Sequence, residues 1–264
     1  MMAQIAILVL TGLVIGVLSG LLGIGGGTLM VPLLRLGFNC EPLTATATSL
    51  FTILFTSVSG TATHVHNKTC IPKLGVILGI SGALTSALGV YLGTISPGWL
   101  VMLAAAIVVL YGALSMFSKA LKATKASPSQ TAERAEETPF ELNARNTGVS
   151  VLIGLIAGLI SGYVGVGGGF IMVPLMLGFL GVSMRKASGT SLIAILILAL
   201  PSVAENLVLG NVDLLAGICL AVGSIPGAVL GARLVKRVPE AQLRFVFAFF
   251  LLVAAAALVL REVM

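Results

Sequence analysis

Charge is what this chain has least of. Only 9% of its 264 residues are Asp, Glu, Lys or Arg, against about a quarter in an ordinary soluble domain. That is too little to keep a water-facing surface hydrated and free of apolar patches, so a soluble enzyme or signalling domain is excluded. Cysteine is also scarce. Cys40, Cys70 and Cys219 are odd in number and lack a Cys-x-x-Cys spacing, so they form neither a disulfide framework nor a thiolate metal knuckle. Histidine is limited to His64 and His66, which could ligate a metal only with partners from elsewhere in the chain. No metal or other cofactor is expected. The period-2 alternation of a membrane barrel is absent, and so are the basic n-region and small-residue cleavage site of a signal peptide, so the first twenty residues read as structure. The net charge of +6 is spread between apolar runs and forms no stripe or helical face, which argues against a nucleic-acid partner.

What remains is apolar. Hydrophobic residues make up 58% of the chain and the mean hydropathy is +1.13. Runs such as 74–92, 100–117 and 245–260 approach or reach the roughly 20 helical residues that cross about 30 Å of hydrocarbon. The fold class is an all-α integral membrane protein, and the lipid bilayer is its first partner.

The chain is also a duplication. Ser19 to Leu33, Ser-Gly-Leu-Leu-Gly-Ile-Gly-Gly-Gly-Thr-Leu-Met-Val-Pro-Leu, returns from Ser161 to Leu175 as Ser-Gly-Tyr-Val-Gly-Val-Gly-Gly-Gly-Phe-Ile-Met-Val-Pro-Leu, an offset of 161 − 19 = 142. The offset persists without gaps: Thr48-Ser49-Leu50 falls on Thr190-Ser191-Leu192, Leu88-Gly89 on Leu230-Gly231, and Pro97 on Pro239. Helical segments are expected at about 4–22, 28–37, 44–63, 72–92 and 98–117, and again at about 148–164, 170–180, 187–204, 213–233 and 240–261. The chain therefore divides into a first membrane repeat at 1–117, a charged linker at 118–147 and a second membrane repeat at 148–264.

Loop charge relates the two repeats, because Lys and Arg near span ends favour the cytoplasm. Lys68 and Lys73 follow the third segment of the first repeat, whereas Glu205 and Asp213 follow its counterpart; the next loop is uncharged from Gly93 to Trp99 but carries Arg233, Lys236 and Arg237 in the second repeat. Equivalent loops on opposite sides make two inverted repeats, each a glycine-broken helical hairpin followed by three transmembrane helices. The hairpin either re-enters or crosses twice with a short second arm; both satisfy the parity. The linker then lies in the cytoplasm and both termini outside. Arg35, alone on the outer side, reads first as an interfacial anchor that snorkels and second as a device that attracts or gates an anion.

No nucleophile, base and orienter share one depth, so the chain is not read as an enzyme. The glycine blocks lack the Gly-Lys-Ser/Thr ending of a phosphate loop. Gly-x-x-x-Gly helix packing explains Gly12, Gly16 and Gly20 or Gly154, Gly158 and Gly162, but three consecutive glycines would destabilise a helix by about 1 kcal/mol each relative to alanine. They read instead as a break that starts a short helix. Such a start offers unpaired N–H groups and a positive dipole end to an anion. Gly25, Gly26, Gly27 and Thr28 form one candidate half-site, and Gly167, Gly168, Gly169 and Phe170 the other. Thr48-Ser49 and Thr190-Ser191 add hydroxyl donors, against the plainer reading that such groups bond the carbonyl one turn back. His64 reads as interfacial, with metal or proton coupling as the alternative. Glu205 with Asn206 reads as a solvated helix end, or else as a polar gate or proton acceptor.

The paired Gly-x-Gly-Gly-Gly-x-x-Met-Val-Pro-Leu blocks, the Thr-Ser-Leu sequences after them and the hydrophilic connector resemble the TauE/SafE sulfite exporter family over essentially the whole chain. The resemblance implies a secondary transporter of sulfite, a sulfonate or a similar small anion in a bacterial inner membrane, coupled to a proton or cation gradient, with a homodimer as a candidate assembly. Phe170 stands where the first copy has Thr28, so the half-sites are not chemically equal. A non-transporting assembly module and an anion channel are the competing readings. Labelling of cysteines introduced at Lys68 and Glu205 should find the two positions on opposite faces of the membrane; labelling from one face would refute the inversion.

Overall fold

A computed structural model describes residues 2–125 and 143–263, and among these residues every regular element is a helix. The first half contains α1 (Met2–Leu22), α2 (Gly27–Phe38), α3 (Pro42–His66), α4 (Pro72–Ile95) and α5 (Gly98–Lys125). The second contains α6 (Ala144–Val164), α7 (Gly169–Phe179), α8 (Met184–Val208), α9 (Leu214–Leu234) and α10 (Glu240–Val263). Local chemistry sets several starts. Pro42 and Pro72 open α3 and α4 where the missing N–H costs nothing. The Ser183 hydroxyl accepts from Lys186 N at the start of α8, and Asp213 Oδ1 from Ala216 N at the start of α9. The expected linker begins as the last turns of α5 and ends in the first turn of α6; its middle, 126–142, lies outside the described residues.

Six helices, α1, α3, α4, α6, α8 and α9, are long and apolar enough to cross a membrane, and α5 and α10 carry the apolar runs Gly98–Tyr111 and Ala241–Val253. Their outer faces expose large apolar side chains, such as Ile80, Leu84 and Leu88 on α4. That surface suits hydrocarbon and would be untenable in water.

The helices interlock across the halves. The first helix of each half lies along the fourth helix of the other, α1 along α9 and α6 along α4. Small residues permit the approach. A Cβ on Gly12, Gly16 or Gly20 would fall on the backbone of Leu220, Ser224 or Ala228, and one on Gly154, Gly158 or Gly162 would fall on that of Leu78, Gly82 or Ser86. Every one of these contacts has its counterpart 142 residues away, in keeping with the packing role expected of these glycines.

The same contacts fix directions. Residue numbers rise together along α1 and α9, and along α3 and α9, where Thr48, Thr52 and Thr56 meet Asp213, Gly217 and Ser224. Thus α1 and α3 run the same way, and α2 returns the chain to the end of the bundle where α1 began. At 1.5 Å per residue its 12 residues reach only about 18 Å. By contrast α3 and α8 run oppositely, because Leu50 packs with Ala199 and Val203 while Gly60 faces Leu192.

Gly158→Ala should lower stability by about 3 kcal/mol, the upper end of overpacking costs, because its Cβ would be driven into the Gly82 carbonyl. Gly148→Ala, in the same helix with nothing within 4 Å, should instead add roughly 0.5–1 kcal/mol. Thermal unfolding of the two purified variants checks both.

Candidate functional site

Near the midpoints of α3 and α8 sit Ile53 and Ile195, and around them the two broken hairpins meet. Both isoleucines touch the Gly25 position; Ile53 also touches Gly27 and Gly167, and Ile195 touches Gly169. The loops abut directly. A Cβ on Gly27 would strike the Val166 carbonyl, and one on Gly169 the Gly23 carbonyl. All of residues 23–28 and 165–170 are buried, so in this conformation both half-sites are shut away from either end of the bundle.

Backbone geometry explains the glycines at two positions in each loop. Gly25 and Gly26 have φ of 80° and 90°, and Gly167 and Gly168 have φ of 87° and 60°, a region that costs a side chain about 1–2 kcal/mol. Gly26 and Gly168 are the caps from which α2 and α7 start. In α2 the first N–H groups to fold back are those of Leu29 and Met30, both to Gly26 O, so those of Gly27 and Thr28 stand at the open end. In α7 the N–H of Gly169 is taken by Gly167 O at 2.6 Å. The two helix starts are therefore not equivalent, and Phe170 in place of Thr28 adds to the difference.

The Thr-Ser pairs flank the loops, with separate tasks for their members. Thr48 Oγ1 accepts from Asp213 N, and Thr190 Oγ1 accepts from Ile71 N, both at 2.9 Å. These hydroxyls tie each third helix to the start of a fourth helix. Thr190 also donates to Lys186 O. The serines differ between halves: Ser191 faces the first glycine loop and donates to Gly23 O at 2.7 Å or to Ser188 O at 2.8 Å, whereas Ser49 Oγ is buried with no partner.

Two further serines, which the sequence reading quoted but did not place in the site, belong to it. Ser19 and Ser161 are fully buried and their hydroxyls have no partner. The Cβ of Ser19 lies 3.7 Å from where a Cβ on Gly26 would stand, and that of Ser161 lies 3.5 Å from the same point on Gly168. Their signal in the sequence is identity across the two copies.

The proposed gating residues lie elsewhere. Arg35 sits at the last turn of α2, roughly 12 Å along the axis from its start, where Nη1 donates to Cys40 O at 3.1 Å. His64, in the last turn of α3, is fully buried in protein, with Nε2 donating to Gly20 O at 2.8 Å and Nδ1 2.7 Å from Thr69 Oγ1. It clips α1 to the end of α3. At the equivalent place Asn206 is buried rather than solvated, donating to Ser202 O and accepting from Asn211, while Glu205 is half-buried beside it. Among the described residues no three His, Cys, Asp or Glu side chains gather as metal ligands. Burial, reinforced by the Asp213 carboxylate and opposed by Arg35, pushes the Cys40 thiol up, and burial pushes the Cys70 thiol up. Neither is poised as a thiolate.

Comparison with known proteins agrees with a transport scaffold. The family described as Sulfite exporter TauE/SafE matches residues 8–258. Among curated proteins of Bacillus subtilis, the probable membrane transporter protein YunE is 27% identical over 96% of this chain and 96% of its own length. The probable membrane transporter protein YdhB is 30% identical over 96% and 99% of the two chains, and YjnA, described in the same words, is 29% identical over 96% and 98%. No solved structure matches the chain.

Ser191→Ala should cost about 1 kcal/mol, the net worth of one buried hydrogen bond, because it releases Gly23 O. Ser49→Ala, which removes a hydroxyl that bonds nothing, should leave the melting temperature level or raise it. Equal losses in the two variants would show that the tie at Gly23 carries no stability.

Proposed function

The chain belongs to the sulfite exporter TauE/SafE family of membrane transporters, and on that premise we propose that it is a secondary transporter. Its substrate is a small sulfur-containing anion, sulfite, a sulfonate or a related ion, carried across a bacterial inner membrane by alternating access. The observation that carries this reading is the meeting of two glycine-broken hairpins, one from each half, at the mid-depth of α3 and α8. Irregular backbone at membrane depth is tolerated where it is buried in protein or lines a cavity, and transporters of inverted design place discontinuous helices at the substrate site. The starts of α2 and α7 supply the N–H groups and positive dipole ends that a developing contact with an anion needs.

The opposed directions of α3 and α8 support reading the halves as inverted repeats. Their asymmetry supports a two-state mechanism. Ser191 latches the first loop through Gly23 O, while the equivalent Ser49 leaves the second loop unlatched. In the other state the latch passes to Ser49, the Ser191 bond opens, and the site faces the opposite side. Burial of both loops favours such a carrier over a channel, since an ion cannot reach them without movement. Glu205 at one end, with Asn206 as a hydrogen-bonding neighbour, and His64 at the other are where a coupling proton would be received. The charged linker, 118–147, lies on the cytoplasmic side in this scheme.

Purified protein in liposomes should take up radiolabelled sulfite, thiosulfate or sulfoacetate, with saturation and dependence on an ion gradient. Transport of a chemically different solute in place of all three would refute the substrate class. Current without saturation would replace the carrier with a channel.

A further inference from the structure

Hydroxyls in apolar helices have a cheap local partner, the carbonyl three or four residues earlier. This protein uses it widely: Thr52, Thr56, Ser81, Ser150, Ser188 and Ser224 all bond such a carbonyl. Ser19 and Ser161 do not. Both are wholly buried, both are without a partner, and both place Cβ against the glycine from which a short helix starts. A buried hydroxyl left unsatisfied costs about 1–3 kcal/mol. The same omission occurs at two positions 142 residues apart, each beside a helix start, so it has the form of a repeated feature and not of a packing accident.

We propose that Ser19 and Ser161 are the hydroxyl donors of two corresponding but unequal anion half-sites, each completed by the N–H groups at the start of α2 or α7, and that the pair selects an oxyanion of single negative charge. This rests on the transporter reading above and gives it specific ligands. The charge selection follows from the donor set. Residues 19–31 and 161–173 contain no Lys or Arg, and the side chains packed on the loops, from Ile15, Ile53, Ile195, Thr46 and Ser191, are uncharged. Desolvation cost grows with the square of the charge, and neutral donors return only hydrogen-bond energy. A monoanion such as hydrogensulfite or a sulfonate can be held this way; a dianion such as sulfate meets a desolvation cost about four times as large from the same neutral donors, and is held less well. The donor N–H of Gly169 is engaged by Gly167 O, so the half-site at Ser19 is the better prepared in this conformation.

The test uses the full chain in lipid, with Ser19→Ala, Ser161→Ala, the double variant and Ser19→Thr. The probe is radiolabelled sulfite, with methanesulfonate and sulfate as competitors, and the melting temperature is followed with and without methanesulfonate. Each alanine should weaken binding about tenfold, as expected for a hydrogen bond to a charged group, and the double variant should abolish it. Threonine, which keeps the hydroxyl, should bind like the parent. Methanesulfonate should compete far better than sulfate. The ligand-free melting temperature should not fall in either alanine variant, because no bond is lost, whereas a purely structural serine would lower it.

Parent-like binding in both alanine variants, or a fall in ligand-free stability with binding intact, overturns the assignment. Competition by sulfate equal to that by methanesulfonate overturns the charge selection, and absence of binding by any probe overturns both. Sulfite flux in liposomes separates the two levels. Flux that survives in the double variant defeats the serine assignment and leaves the transporter reading standing. Serine-dependent binding without flux in the parent does the reverse.

Discussion

A bilayer gives two apolar helices little hydrophobic reason to associate, since lipid tails are as apolar as leucine. What joins the halves of this protein is therefore contact at close range, backbone against backbone, along α1 with α9 and α4 with α6. Glycine is the residue that permits it. Gly16 meets Ser224 and Gly158 meets Gly82 without a side chain between the helices. Those two seams hold α3 and α8 against each other in opposite directions, and that arrangement brings the broken hairpins together. Weakening either seam would separate the loops before any chemistry of the loops mattered.

The two copies keep the contact positions of the seams, although residues there have changed, with Ser81, Gly82, Thr85 and Ser86 of α4 standing where α9 has Gly223, Ser224, Gly227 and Ala228. The seams are matched contact for contact, while the loops differ in a latch, in a turn at Gly169 and in the exchange of Thr28 for Phe170. The frame is thus repeated in its contact positions, and the centre where the hairpins meet is not.

Much of this was legible in the sequence because each signal had one physical cause. The 142-residue repeat and the apolar runs located the ten helices of the described residues, and the glycines spaced by four identified the seams. Three consecutive glycines marked the break. Features that depend on what lies opposite in space were harder to read. His64, polar and near a helix end, looked interfacial, yet the carbonyl of Gly20 on another helix satisfies it in a buried place. Thr48 and Thr190 stood out as repeated hydroxyls, but the groups that occupy them, Asp213 N and Ile71 N, come from distant segments. Ser19 and Ser161 were visible as identities and invisible as orphans, because whether a hydroxyl bonds its own helix is decided by rotamer and neighbours rather than by spacing.

The crossing of the halves also bears on how the protein is made. Gly12 packs on Leu220, so α1 enters the membrane long before its partner exists. At synthesis rates of about 5–20 residues per second, the roughly 200 intervening residues delay that contact by about 10 to 40 s. Through that interval the glycine face of α1 must be held by lipid, by the insertion machinery or by provisional contacts with α3. The close contacts of α1 are made with the other half, and the nascent chain can complete that seam only when α9 arrives.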